Sequence, residues 1–224
     1  MILSVENGTK AYAQQRALDG IDFACKRGEF VAIYGPSGSG KTTLLNLLGT
    51  LDTPDGGTVR FDGTEVSELT ERERDAIRAE RIGFVFQSFR LVSYLSAAEN
   101  VRLALSAAGV AAEEGRINSV LREVGLGGKE DRTPAALSHG ERQRVGIARA
   151  LVKDPDVVLA DEPTGNLDVE TGKRILELMA RFNDAADVTF VIATHDEAVA
   201  SVADEALTIR DGVFSTDGML RNGP

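Results

Sequence analysis

Apolar residues fall into short runs separated by turn signals, and two periodicities can be read from them. Residues 2–5, 21–25 and the nearly continuous run 30–34 predict strands at the start of the chain. Asp55-Gly56-Gly57 and Asp62-Gly63 flank 58–61, which predicts part of a hairpin. Residues 82–86, 157–160 and 189–193 are β-branched and aromatic runs without polar alternation, the pattern of parallel strands covered by helices on both faces. A last hairpin over 206–214 turns at Asp211-Gly212. Helical spacing starts at 43–48 and dominates from about 89 to 154. There Ser96 and Glu99 form a capping-box pattern for a helix stopping near Gly109. Ile117, Val120, Leu121 and Val124 carry a second helix to Gly125, and Ser138 with Glu141 opens a third that runs to about Val152. The mixed charges of Glu71 to Asp75, after Thr70, predict a solvated helix start. The expected organisation is one domain, 1–224, of two lobes: an α/β body over 1–88 and 155–224 and a helical insertion over 89–154.

Composition narrows the function. The 224 residues, with 42% hydrophobic and 27% charged, suffice for a sizeable core. With 25 basic against 35 acidic side chains the net charge is −10, without the basic footprint of a duplex or anionic-lipid binder. Trp is absent and aromatics are 5%, too few for a single-strand stacking platform. The single cysteine, Cys25, forms no intrachain disulfide; it reads as a small buried hydrophobe in a reducing compartment. No stretch approaches the roughly 20 apolar residues of a membrane span, and the N-terminus lacks a leader pattern, so a soluble, unexported chain without lipid insertion is expected. Any phosphate it binds must be held by local design.

Gly35-Pro36-Ser37-Gly38-Ser39-Gly40-Lys41-Thr42 supplies such a design. It matches G-x-x-x-x-G-K-[ST], between a predicted strand and a predicted helix. In that setting backbone N–H groups and the helix N-terminus cradle phosphates, Lys41 reaches the β/γ-phosphates and Thr42 binds Mg²⁺. The apolar run 157–160 ends in Asp161-Glu162. A carboxylate at that strand end reaches the Mg²⁺ shell, and Glu162 stands where a general base could polarise a water aimed at the γ-phosphorus.

Leu137-Ser138-His139-Gly140-Glu141-Arg142-Gln143 resembles the ABC signature, usually Leu-Ser-Gly-Gly followed by Gln or Glu, and the chain resembles an ABC transporter nucleotide-binding subunit. Tyr12 matches the aromatic that stacks on adenine, Gln87 the Q-loop, Asp168 in Gly165-Asn166-Leu167-Asp168 the D-loop, and His195 the switch histidine. The motifs occur in the family's order over essentially the whole chain. The resemblance implies an α/β P-loop NTPase (RecA-like) core with an N-terminal antiparallel β region and an inserted α-helical subdomain. It implies ATP and Mg²⁺ as ligands, held by Tyr12, Gly35 to Gly40, Lys41, Thr42 and Thr43, with Thr42, Gln87 and Asp161 toward the metal. Glu162, His195, Lys41 and Gln87 are the implied catalytic groups. Ser138, Gly140 and Asp168 would complete the site of a second subunit in an ATP-dependent homodimer. A membrane permease on a separate chain is the implied partner, which places this chain in the cytoplasm, peripheral on the inner face of the membrane.

The wording of residues 161–168, together with Ile82 to Gln87 and Glu99-Asn100-Val101, is similar to the lipoprotein-release and macrolide-exporter branch. That branch also includes a cell-division type, which stays as the alternative. Arg90 and Ser93-Tyr94 depart from the Asn and Leu-Pro often found there. Soluble relatives acting on DNA or ribosomes carry long coiled coils or two nucleotide sites, and neither occurs here. His139 replaces the first signature glycine; it is either a tolerated solvent-facing substitution or a pH-dependent contact across the dimer. Arg142 and Arg144 are candidates to brace acidic residues of the α/β lobe.

Overall fold

The computed structural model describes residues 1–13, 15–196, 199, 202–215 and 220–221. Strands β1 (Leu3–Tyr12) and β2 (Gln15–Cys25) pair antiparallel. With β4 (Gly56–Phe61) and β5 (Thr64–Glu65) they make a four-stranded sheet ordered β2-β1-β4-β5. The first two strands are about twice as long as their apolar runs. Their outer halves are polar, and the ladder shifts register after Val5, after Gly8 and after Lys10, with Asn7 at φ 48°, so alternation is broken where pairing continues.

The second sheet positions the site. It contains β3 (Phe30–Tyr34), β6 (Ile82–Phe86), β7 (Val157–Asp161), β8 (Thr189–Thr194), β9 (Glu205–Arg210) and β10 (Val213–Phe214), ordered β10-β9-β3-β8-β7-β6, with β11 (Leu220–Arg221) also on β9. From β9 to β6 the neighbours run parallel. Each central strand is buried on both faces. Phe30 and Ala32 of β3, Val158 and Ala160 of β7, and Phe190 and Ile192 of β8 face one core. Val31 and Ile33, Val157 and Leu159, and Val191 and Ala193 face the other. This two-sided burial is why these strands read as unbroken apolar runs.

Helix α1 (Lys41–Leu48) covers one face with the antiparallel sheet, and Leu44, Leu45, Leu47 and Leu48 enter that core. The other face meets α3 (Ala97–Ala107), α4 (Glu114–Glu123), α5 (His139–Leu151) and α6 (Val169–Ala186), whose buried residues form one continuous core with the sheet. Thr70, Ser96 and Ser138 close capping boxes with Glu73, Glu99 and Glu141 at the starts of α2 (Glu71–Arg81), α3 and α5. Helix α6 has no counterpart among the sequence expectations. Asp168 caps it by accepting from the Thr171 N–H at 3.0 Å, and Ile175, Leu176, Leu178 and Met179 bury its inner stripe. Cys25 is buried and free, and burial pushes its thiol pKa upward.

Candidate functional site

Because β3, β8, β7 and β6 run parallel, their carboxyl ends share one edge, where ligands of open α/β sheets bind. From these ends emerge the Gly-rich loop, His195, Asp161-Glu162 and Gln87. Ala17, the loop, α1's first turn and these side chains line a cleft of about 620 Å³. Gly40 precedes α1 at φ 109°, and a Cβ there would lie 2.5 Å from the Ala17 carbonyl, so only glycine fits. The first intrahelical bond of α1 is Leu44 N–H to Gly40 O at 2.9 Å, which leaves the N–H groups of Lys41, Thr42 and Thr43 ahead of the ladder and available to phosphate oxygens. Lys41 is buried, its Nζ donating to Gly35 O at 2.7 Å and Pro36 O at 3.0 Å. Ser39 Oγ is buried with no hydrogen-bond partner among the described residues.

The acidic side of the cleft is tightly coupled to this loop. Thr42 Oγ1 donates to the Asp161 carboxylate, 3.2 Å from Oδ1 and 3.1 Å from Oδ2. Burial raises the Asp161 pKa, Thr42 opposes that shift, and neighbouring Glu162 adds to it. A hydroxyl beside a carboxylate whose charge is penalised by desolvation fits Mg²⁺, which takes oxygen ligands and offsets that penalty. Glu162 has φ 48°, a conformation rare outside glycine, fixed by its N–H to Ala193 O at 2.8 Å. Its Oε1 lies 3.6 Å from Lys41 Nζ, and its Oε2 lies 2.8 Å from His195 Nδ1 and accepts from the His195 N–H at 3.3 Å. Its side chain is 15% exposed while that of His195 is 63% exposed, so the carboxylate is recessed and the imidazole stands at the mouth. Gln87 also lines the cleft, and its carbonyl accepts from Asn166 Nδ2 at 2.9 Å.

The remaining sequence candidates lie elsewhere. Gly35 is behind the lining, a Cβ there meeting Ile209 O at 2.3 Å. Tyr12 ends β1 beside Thr43 and does not line the cleft; its hydroxyl donates to Asp52 Oδ2 at 2.8 Å. Ser138, Gly140 and Asp168 line a second pocket, of about 490 Å³, with Asn166 and Thr171. A Cβ at Gly140 would approach Thr171 Cγ2 to 2.6 Å, so any larger residue there displaces the Thr171 side chain. His139 is solvent-exposed as one alternative held, but it is not isolated: its ring meets Phe89 edge-on at 6.0 Å, and Nδ1 is 3.3 Å from Arg142. Arg142 lies over Phe89 at 5.7 Å, an aromatic neighbour that the sequence reading did not anticipate.

Two further residues shape the region: no motif points to Arg149, and Asn100 entered the sequence reading only within Glu99-Asn100-Val101. Arg149 donates to Phe89 O at 2.8 Å and Arg90 O at 2.6 Å, holding two consecutive residues at φ 60° and 46° just after Gln87. Asn100 is fully buried and spends its amide on the loop before α3, accepting from Val92 N–H and donating toward Val92, Leu95 and Ser96 carbonyls. An Asn at the fourth position of a helix that opens with a capping box, just before Val101, was the available signal.

Comparison with known proteins agrees with this geometry. Residues 18–165 match the ABC transporter family model. The chain is 48% identical over 204 residues to the macrolide export ATP-binding/permease protein MacB of Syntrophobacter fumaroxidans, covering 89% of this chain and spanning only 28% of that relative. It is 44% identical over 218 residues to the lipoprotein-releasing system ATP-binding protein LolD of Bacteroides thetaiotaomicron, covering 96% of this chain and 100% of that one. Among solved structures, a dimeric post-hydrolysis state of the ATP-binding cassette MJ0796 bound to ADP and Pi superposes with TM-score 0.90 at 38% identity, covering 99% of each chain.

Proposed function

The chain belongs to the ABC transporter family as an ATP-binding, ATP-hydrolysing subunit, and we propose that hydrolysis occurs in the cleft at the carboxyl ends of β3, β8, β7 and β6. The observation that carries this assignment is the convergence of Lys41, Thr42, Asp161, Glu162 and His195 on one cleft from α1 and the ends of β7 and β8, with Glu162 between Lys41 and His195. In this reading the α1 N–H groups and Lys41 bind the β/γ-phosphates, and Lys41 exchanges the carbonyls of Gly35 and Pro36 for phosphate oxygens. Mg²⁺, when bound, neutralises phosphate charge, and Thr42, Asp161 and Gln87 are the groups to hold it. Glu162 orients and polarises the attacking water. His195 fixes the Glu162 carboxylate through the 2.8 Å contact and faces the γ-phosphate. Tyr12 offers its ring to the base. Positioning and charge complementarity supply most of the rate, because phosphoryl transfer needs little covalent work from protein groups.

Ser138, Gly140 and Asp168 serve the site of a second copy, with the α5 N-terminus offering N–H groups to its γ-phosphate. Their separation from this chain's own cleft and the dimeric state named for the MJ0796 structures support that arrangement. Among the described residues no helix is long and apolar enough to cross a membrane. The proposed partner is a membrane permease on a separate chain, to which this subunit docks peripherally at the cytoplasmic face; the match to the ATP-binding protein LolD over that relative's full length supports this reading. The division into an α/β lobe, 1–88 with 155–224, and a helical lobe, 89–154, is part of the same proposal. Lipoprotein release is the favoured task, supported by a match to the LolD relative over its full length.

Replacing Glu162 by Gln tests the assignment. Loss of the base removes about 10²-fold or more of the steady-state rate while leaving the phosphate cradle intact, so ATP and Mg²⁺ trap a dimer detectable by light scattering. An undiminished rate in that variant overturns the role of Glu162.

A further inference from the structure

The ring of Tyr12 is held by a polar relay that no nucleotide motif includes. Its hydroxyl donates to Asp52 Oδ2 at 2.8 Å, and the other carboxylate oxygen, Oδ1, accepts from Lys10 Nζ at 2.8 Å. Lys10 also donates to Thr53 O at 2.7 Å and Asp55 Oδ1 at 3.3 Å, while Asp55 Oδ2 accepts from Ala11 N–H at 2.7 Å. The Lys10 side chain is only 11% exposed, and its ammonium lies 5.5 Å from the Tyr12 ring centroid. These contacts pin the end of β1 to the segment that follows α1. That segment is anchored in turn, because the N–H groups of Leu51 and Asp52 bond to Asn46 O at 2.9 and 3.2 Å. One helix therefore has the phosphate cradle at its N-terminus and, through Asp52, the Tyr12 ring tied to its C-terminal end.

This arrangement has a chemical consequence. Tyr12 spends its hydroxyl on Asp52, so the ring itself is what remains for a ligand, and it is 46% exposed with the Lys10 charge beside it. An aromatic on a strand end next to the left-handed Ala13, φ 54°, has several rotamers open to it unless something selects one. The Asp52 bond does so before any nucleotide arrives, removing an ordering cost from binding.

We propose that Asp52, braced by Lys10, is the positioning residue that preorients the Tyr12 ring for a nucleobase. Base affinity then comes through stacking on a pre-set platform, separately from phosphate affinity through Lys41 and α1. The proposal rests on the ATP-site reading above, in which Tyr12 meets the base.

Binding of Mg-ATP and of magnesium tripolyphosphate, which lacks base and ribose, measured by calorimetry on the intact chain, separates the two contributions. Tyr12→Phe keeps the ring and removes the hydroxyl's contacts with Asp52 and with the Thr43 side chain. It is expected to weaken ATP about fivefold, the value of a hydrogen bond of roughly 1 kcal/mol, and to leave tripolyphosphate unchanged. Asp52→Ala is expected to give the same base-selective loss, and the double variant to lose no more than either alone. Equal weakening of both ligands by Tyr12→Phe, or unchanged ATP affinity, overturns the relay, and Tyr12→Phe decides the matter even if Asp52→Ala proves unstable. Failure of the underlying site reading is distinct: in that case the Lys41→Ala variant binds ATP and tripolyphosphate as tightly as the parent does.

Discussion

Asp161 is a carboxylate placed where burial opposes its own charge. Desolvation raises its pKa, and Glu162 beside it adds to the effect, while the Thr42 hydroxyl and Lys41 only partly compensate. The unfolded chain gives up this proton first as pH rises, so stability falls through the interval between the unfolded and the raised folded pKa, and the cost is fully present above both. At neutral pH without metal, Asp161 therefore destabilises the fold. Asp161→Asn keeps an acceptor for Thr42 and removes the charge. Its thermal midpoint, followed by calorimetry without Mg²⁺, is expected to rise by about 2 °C, the scale of stability gained when a charged site is neutralised in a domain of this size. The gain is expected to fade at acidic pH, where the parent carboxyl also holds its proton. Hydrolysis in the same variant is lost, and a lower midpoint would show that the carboxylate is a structural support rather than a strained ligand.

Element by element, the two periodicities separate what could be read from what could not. Strands β3, β6, β7 and β8 were legible because they are buried on both faces, and their carboxyl ends delivered Gln87, Asp161, Glu162 and His195 to one edge as the motif order implied. The outer halves of β1 and β2 were not, because register shifts break alternation there. Helix α6 had a readable apolar stripe, but the motif preceding it drew attention to Asp168 as a nucleotide contact rather than as a cap, and it is a cap. Ser138 is likewise both: the N-cap of α5 and the signature serine. Ser96 offers the control, since it caps α3 through an identical box without lining either pocket. Alanine at either position is expected to cost about 1 kcal/mol in urea unfolding. Only Ser138→Ala should also reduce ATP-dependent dimer formation and hydrolysis. Equal loss of activity in both variants, or in neither, means that the serine acts only as a cap.

For the molecule as a whole, the cleft and the signature pocket share no lining residue. One holds Lys41 and Glu162, the other Ser138 and Asp168, so the two halves of the proposed composite site lie in separate pockets of one chain. Two copies related by a two-fold axis solve the problem, because each surface then meets the other's complement. Such a dimer has a consequence that a single self-sufficient site does not. Lys41→Ala and Ser138→Ala, each impaired in hydrolysis alone, form a mixed dimer in which one site carries both defects and the other carries neither. Equimolar mixing gives about half mixed dimers with one sound site of two, so hydrolysis is expected to return to about a quarter of the parent rate if sites act independently, and to less if they are coupled. Mixing Lys41→Ala with Glu162→Gln is the counter-case: both defects act on the cleft of the chain that carries them, every site in the mixed dimer is damaged, and no rate returns. Recovery in the first mixture without recovery in the second assigns Ser138 to the partner's nucleotide and Lys41 and Glu162 to the same one. Equal behaviour of the two mixtures removes the composite site, and with it the argument for an obligate pair.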